Sequence, residues 1–334
     1  MVVCKKCALD TSSPGITINA SSGLCQFCES YTPLTVENRE KSRAQMDTLF
    51  ASVPGQGTYD VIMALSGGID SSYALYRLKE EYPHLRVLAV QFDNGFISDI
   101  AFENARKFCD LTESTYFRLS LDNNQLQEAF GKAALSENAF PGFAKFRASD
   151  ICNTCMSIIK QKLIEMALQT KTPFIVFAFS PGQTEAPFVP LPRHFMTWIR
   201  KLFDDQLKTM GVTARDQYLT DLQLIANSPK EAEVTIIHPY LVWEYNKAAF
   251  RQECIRHGWI APDLDDPNSS NCLLNAFATK NHFDKYHIHS YAVDLSSLVR
   301  QGTLTREEAL RSLNITFSDA SIEKVRRKLL PETK

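Results

Sequence analysis

The chain has 334 residues, 44% of them apolar, with 36 lysines and arginines against 38 acids and a formal net charge of −2. That is enough apolar material for a large core and more than one folding unit, and the near-balance of charge removes any global demand for a nucleic-acid partner, so small molecules are the default substrates. No apolar run reaches membrane-spanning length and the opening MVVCKKCALD lacks the apolar stretch of a secretory signal, so the nine cysteines are expected to be reduced thiols in a cytoplasmic protein with no membrane partner.

In chain order, residues 1–30 are a cysteine-rich segment with little room for a core. Cys4 and Cys7 (CKKC) and Cys25 and Cys28 (CQFC) form two Cys-x-x-Cys pairs separated by 17 residues. Four thiolates at that spacing suit a closed, tetrahedral Zn²⁺ site, a zinc knuckle; the alternative is four free surface thiols. Residues 31–58 read as a helical linker, with a charged helix over Thr35–Ser52 and then the turn-rich VPGQGTYD. From residue 59 to about 260, short apolar runs (VIMAL, RVLAVQF, TYFRL, FIVFAF) alternate with helical stretches near 70–81, 99–109, 123–135 and 155–169, and EVTIIHPYL supplies a fifth strand before a helix at 246–258. That alternation predicts βαβ units and an α/β fold with a doubly wound parallel sheet. Residues 184–230, with RHFMTWIRKLFDDQLKTMG, read as an insert that forms either a lid or partner face or a helix packed on the core. Residues 261–334 read as a helical C-terminal region, with TREEALRSL opening on a threonine cap.

The exit of the first strand, VIMALSGGIDSSYALYRL (61–78), is the most informative stretch. In a doubly wound sheet ligands sit beyond the carboxyl ends of the strands, at helix N-termini. Gly67 and Gly68 let an anion approach the backbone, Ser66, Ser71 and Ser72 add hydroxyls, and Asp70 can cap the helix or hold Mg²⁺. A Walker loop would end in Gly-Lys-Ser/Thr, and a dinucleotide turn would show Gly-x-Gly-x-x-Gly; neither is present.

SGGIDSS resembles the Ser-Gly-Gly-x-Asp-Ser signature of the PP-loop ATP pyrophosphatases, whose fold is that of the adenine nucleotide α-hydrolases. The resemblance implies ATP binding by Ser66, Gly67, Gly68, Asp70, Ser71 and Ser72. It also implies adenylylation of a carbonyl-type oxygen, with release of pyrophosphate, and displacement of AMP by nitrogen or sulfur. A leaving group that departs as β and γ phosphates together is served by loop N–H groups and hydroxyls, without the lysine a kinase needs.

The remaining cysteines divide. Cys152 and Cys155 (DICNTCMSIIKQKL) fall where a helix begins, a position that lowers thiol pKa, and Cys272 (NSSNCLLNAF) lies at a loop-to-helix start. The three could hold a [4Fe-4S] cluster with one open iron; alternatively the pair is a redox or persulfide couple, or all are structural with Cys272 a small hydrophobe. Cys109 and Cys254 fit helical packing. The layout of knuckle, loop, central pair and single later cysteine is similar to that of the iron–sulfur tRNA thiolation enzymes, which implies Cys152, Cys155 and Cys272 as cluster ligands and thiolation as the reaction. FAFSPGQTEAP departs from that family's pattern, and no second zinc knuckle follows. Both ends of the chain, CKKCALDTSSPGITINASSGLCQFC and HFDKYHIHSYAVDLSSLVRQGTLTREEAL, look like the N-acetyl sugar amidotransferases of surface-polysaccharide synthesis, which implies nitrogen transfer fed by an ammonia-supplying glutaminase. The central cysteine trio is a departure from that second family.

The expected reaction is therefore ATP-dependent activation of a small-molecule or tRNA carbonyl followed by sulfur replacement, with Asp70, Cys152, Cys155 and Cys272 in the chemistry; the acceptor, the sulfur donor and whether the enzyme is a homodimer are open. Asp93 and Asp99, flanking Asn94 in QFDNGFISD, are candidates for Mg²⁺ or ribose or else turn and cap residues, and Gln183, Thr184 and Glu185 border the same cleft. His282, His287 and His289 cluster in NHFDKYHIH, but two of them at i, i+2 do not share a helix face, which argues against a metal site.

Overall fold

The computed structural model describes residues 2–33, 35–51, 53, 57–137, 139–231, 233–262, 271–314 and 317–330; part of the VPGQG turn and Asn268–Ser270 before Cys272 lie outside them. A short helix α1 (Gln26–Glu29) and the long α2 (Val36–Ala51) precede the sheet. There follow β1 (Val61–Ala64), α3 (Ile69–Glu81), β2 (Val87–Asp93), α4 (Asp99–Leu111), β3 (Thr115–Ser120), α5 (Asn123–Leu135), the one-turn α6 (Gly142–Lys145), α7 (Asp150–Thr170) and β4 (Phe174–Phe177). The chain continues through β5 (Phe188–Leu191), α8 (Arg193–Thr209), α9 (Leu222–Asn227), β6 (Val234–Ile237) and α10 (Lys247–Arg256) to α11 (Asn275–Tyr286), α12 (Ala292–Arg300), α13 (Arg306–Leu313) and α14 (Asp319–Leu329).

The strands form one sheet in the order β3-β2-β1-β4-β6-β5, parallel throughout except for β5. Successive residues of β1 enter opposite layers. Val61 and Met63 pack with α2, α3, α4 and α10, through Phe50, Leu75, Phe108 and Phe250, whereas Ile62 packs with α7 through Leu163, Ile164 and Ala167. Helices on both faces explain why the central strands are apolar without alternation. The exception is Gln91 in β2, fully buried, which donates to Ser66 O at 3.1 Å and Ala101 O at 3.2 Å and accepts from Tyr116 Oη at 2.7 Å. Cys109 and Cys254 pack in the α2–α4 layer, where burial raises both thiols to about 12.

One strand was not expected. The fifth strand anticipated from EVTIIHPYL is the sixth in the chain, because β5, within the stretch read as an insert, pairs antiparallel with it at the sheet edge. Pro190 disguises β5 in the sequence and is tolerated because an edge strand need not donate on its outer side. The helix that follows, α8, buries Met196, Phe203 and Leu207 and turns Trp198 outward.

The C-terminal helices cover the carboxyl ends of the strands, and the N-terminal cysteine segment packs on them. Leu9 and Ile16 meet Ile288, Ala292 and Val293, Ala8 N–H donates to Ser296 Oγ at 3.2 Å, and Arg306 Nε donates to Cys7 O at 3.1 Å. Thr305 and Glu308 close a reciprocal capping box at α13, as TREEALRSL predicts.

Within α12, Asp294 is buried and its Oδ1 has no hydrogen-bond partner among the described residues; burial raises its carboxyl to about 8, with the Arg147 charge pulling the other way. The folded chain therefore binds a proton there that the unfolded chain releases above about pH 4, so this group's contribution is present at low pH and lost as pH rises toward 8. His282 and His289 act oppositely: burial lowers both to about 4, so their contribution is lost as pH falls below 6.5. Asp294→Asn should raise the melting temperature at pH 8 and leave it unchanged at pH 4, as thermal unfolding followed by circular dichroism would report; equal melting at both values would reject the assignment.

Candidate active site

The loop between β1 and α3 lies where neighbouring connections diverge, β1 having β2 on one side and β4 on the other. In open α/β sheets that switch point is where the ligand crevice forms. Gly67 takes φ +77, and a Cβ there would lie 2.0 Å from Ala101 O on α4. Trp259 Nε1 holds Gly67 O at 3.0 Å. Ser66 N–H donates to Ser71 Oγ at 3.1 Å, and Gly68 N–H donates to Ser66 Oγ at 3.2 Å. Gly68 is the N-cap of α3 and supplies no side chain, so the first N–H groups of the helix are left for a ligand.

A cavity of about 340 Å³ opens from this loop. Ser66, Gly68, Asp70 and Ser71 line one end, and Val90, Phe92 and Phe177 line its apolar middle. Gly67 and Ser72 do not line it: Gly67 sets the turn from behind, and Ser72 is fully buried, with its hydroxyl unpartnered among the described residues. Asp70 accepts from Tyr245 Oη at 3.0 Å; desolvation raises its carboxyl, while Lys247 and that hydrogen bond pull it down. Lys247, from the start of α10, also lines the cavity. The loop lacks a lysine, but the cleft does not, and the sequence offered no local signal for a cation arriving 180 residues later.

Cys152, Cys155 and Cys272 line the same cavity. The pair sits on the first turns of α7, where Ser149 caps the helix by accepting from Cys152 N–H at 3.1 Å. Cys272 is carried in by a backbone bridge to Ile97, flanked by Leu273 N–H to Phe96 O at 2.9 Å and Ser98 N–H to Asn271 O at 3.0 Å. Asn94 Nδ2 is 3.7 Å from Cys155 Sγ and 3.6 Å from Cys272 Sγ, and Cys152 Sγ faces Asn275 Oδ1 at 4.0 Å. The lowered thiol pKa expected from the helix N-terminus does not hold for Cys155. Burial raises it, and the neighbouring Cys272 and Cys152 add to that against the Asn94 hydrogen bond.

Other expected residues sit elsewhere. Asp93 is committed to Arg118, 2.6 Å away, and accepts from Gly95 N–H, while its neighbour Asn94 faces the cavity. Gln183 lines the cavity; Thr184 Oγ1 lies 3.3 Å from His238 Nδ1, and Glu185 pairs with Arg147. Asp99 lies in the first turn of α4, which Ser98 caps. Asn94, Asn275, Tyr291 and Lys247 are cavity residues that no motif marked, since asparagines and tyrosines in loops read as turn chemistry.

In the N-terminal segment, Cys4, Cys7, Cys25 and Cys28 are buried with ligand atoms all within 4.8 Å of one another. The Sγ–Sγ separations are 3.7 Å for Cys4 and Cys28 and 3.6 Å for Cys7 and Cys25. Zn–S bonds of about 2.3 Å at tetrahedral angles require about 3.8 Å, so the quartet has the dimensions of a single-ion site. Its protons tell the same story. The hydrogen bond with Cys25 lowers Cys7 to about 4, while burial and the Cys7 charge raise Cys28 to about 12, so a thiolate at Cys7 disfavours a second one at Cys28 unless a cation neutralises them. Among the described residues this quartet is the group of three or more His, Cys, Asp or Glu ligand atoms placed closely enough to hold one metal ion.

No known protein-family profile matches the chain. It is 24% identical over 278 residues to uncharacterized protein MJ1599 of Methanocaldococcus jannaschii, covering 83% of this chain and 80% of that one. Among solved structures it is similar to the U34-tRNA thiolase NcsA from Methanococcus maripaludis with its [4Fe-4S] cluster (17% identity, TM-score 0.36, all of this chain and 97% of that one). It is also similar to the NMN synthetase from Francisella tularensis (14%, TM-score 0.33, 89% and 97%) and to the NH3-dependent NAD synthetase from Campylobacter jejuni (15%, TM-score 0.31, 68% and 99%). What the chain itself presents is a mostly parallel α/β sheet with a Ser-Gly-Gly loop at its switch point, and a tight N-terminal cysteine quartet.

Proposed function

We propose that the protein is a PP-loop ATP pyrophosphatase that adenylylates a carbonyl-type oxygen and replaces it with sulfur. The observation that carries this reading is the single cavity shared by the Ser-Gly-Gly-x-Asp-Ser loop and all three of Cys152, Cys155 and Cys272. The carbonyl oxygen attacks the α-phosphorus of ATP, the bond to the β-phosphate oxygen breaks, and pyrophosphate leaves. Hydrosulfide then adds to the activated carbon and loses its proton, and AMP leaves with the original oxygen.

The loop's role is electrostatic. The uncapped N–H groups of α3 and the Ser66 and Ser71 hydroxyls receive charge developing on pyrophosphate, and Lys247 adds a full positive charge in the same cleft. Asp70 faces the cavity and offers carboxylate oxygen to Mg²⁺, which would neutralise the phosphates. A [4Fe-4S] cluster on the three cavity cysteines would supply reduced sulfur at an open iron, and the Asn94 donor facing Cys155 and Cys272 suits anionic sulfur. The apolar middle of the cavity keeps water from the activated carbon. Zn²⁺ at the N-terminal quartet is structural, because its four ligands are buried and leave no open position.

Nitrogen transfer is the second reading. The two segments that resemble the amidotransferases are packed against each other, the knuckle on α12 and α13, as one unit beside the cavity. One experiment separates the two. Anaerobically purified wild-type and Cys155→Ala proteins are assayed for iron and for AMP and pyrophosphate release with sulfide or with ammonia. Sulfur transfer predicts iron in the wild type, its loss in the variant, and AMP release coupled to sulfide. Iron-free wild type turning over with ammonia alone would establish the nitrogen reading, and no AMP under any condition would end both.

A further inference from the structure

The cavity sulfurs differ in what faces them. Asn94, only 5% exposed, points one side-chain amide at two of them, with Nδ2 3.7 Å from Cys155 Sγ and 3.6 Å from Cys272 Sγ. The direction of that amide is fixed from behind. Its Oδ1 accepts Phe96 N–H at 2.9 Å, and a main-chain N–H can face only an acceptor, so the NH₂ group faces the sulfurs. The backbone around it is held as firmly. Asp93 Oδ1 accepts Gly95 N–H at 2.9 Å, Gly95 takes φ +79, and Lys328 Nζ from α14 donates to Gly95 O at 2.8 Å. The hydrogen bonds from Leu273 to Phe96 and from Ser98 to Asn271 join the Asn94 loop to the Cys272 loop, so the spacing between amide and sulfur is built into two paired segments.

A buried amide among Phe92, Phe96 and Leu274 contributes nothing to packing that a leucine would not, and it demands acceptors for both its protons. Neutral thiols are poor acceptors, whereas thiolates, sulfides and persulfides accept strongly. We infer that Asn94 is a positioning residue that pairs Cys155 with Cys272, giving one amide proton to each sulfur, and thereby sets the geometry and electron richness of the sulfur that reacts in the cavity. Cys152 Sγ lies 4.0 Å from Asn275 Oδ1. The inference rests on the proposed role of the three cysteines, yet its test does not need turnover.

Asn94→Asp keeps the size of the side chain and the oxygen for Phe96 but sets a second oxygen, with no proton, against both sulfurs. In the full-length chain, freed of iron by a ferrous chelator under argon, iodoacetamide labelling followed by peptide mass spectrometry reports each cysteine separately. The expected result is a fall of at least about tenfold at Cys155 and Cys272 relative to Cys152. Asn94→Leu, which removes the donor and also the acceptor for Phe96 N–H, should lower the same two ratios and spare Cys152. In iron-loaded protein, the midpoint potential of the visible chromophore should fall in Asn94→Asp, since donors to sulfur raise it. Unchanged ratios, or a common change at all three cysteines, would overturn the role of Asn94. Expected ratios without AMP release in the wild type would instead leave that role standing and remove the proposed reaction.

Discussion

Gly67→Ala is expected to abolish AMP release and to lower the melting temperature by many degrees. Two costs coincide at this position. The left-handed backbone, φ +77, costs an alanine about 1–2 kcal/mol. The new methyl would also lie 2.0 Å from Ala101 O, and that carbonyl belongs to the first turn of α4, where Gln91 holds it and Ser98 caps the helix. Neither side can yield cheaply, so the total should exceed about 3 kcal/mol, the range of strained and overpacked sites. The loop would relieve the overlap by moving away from α4, carrying Ser66 and Gly68 out of register with the N-terminus of α3. Gly142→Ala is the control, because a methyl there meets nothing within 4 Å. The measurement is differential scanning calorimetry with a coupled pyrophosphate assay, and wild-type turnover in Gly67→Ala would mean the loop is not the phosphate cradle.

The second large effect concerns the N-terminal quartet. Cys25→Ser should release the metal and disorder residues 2–30, because that segment buries little beyond Leu9, Ile16 and the cysteines themselves. Metal binding supplies on the order of 10 kcal/mol in small sites of this kind, more than any one side chain. The consequence reaches the cavity wall. Ser290 and Tyr291 line the cavity, while Ile288, Ala292 and Val293 in the same stretch pack on the knuckle. Limited proteolysis should cut the variant within its first 30 residues, zinc by atomic absorption should fall from one per chain to none, and ATP turnover should drop although no cleft residue has changed. Intact protection without metal would contradict this.

The parallel sheet and the sharp turn after β1 were legible because their signals are local: apolar runs of strand length, then Ser-Gly-Gly at a strand exit. The quartet was legible for the same reason, two pairs at ligand spacing. What escaped was made by tertiary approach. Lys247 enters a cleft whose loop lies far back in the chain, and Asn94 looks like a turn residue until Cys272 is bridged to Ile97. Asp93, the more obvious acid, is taken by Arg118, so the neighbouring amide meets the sulfurs. The antiparallel β5 was hidden by Pro190, and the thiol chemistry of Cys155 was misjudged because a helix start suggests a lowered pKa while enclosure reverses it.

Gln91 links events at the rim of the sheet to the Ser-Gly-Gly loop. Tyr116 on the edge strand β3 engages its oxygen, and its nitrogen grips Ser66 O, so pulling the tyrosine aside strands a buried amide oxygen at about 1–3 kcal/mol. A binder that displaces the Tyr116 hydroxyl thus gains leverage on the Ser66–Gly68 bend from the opposite side of β2, without ever entering the crevice.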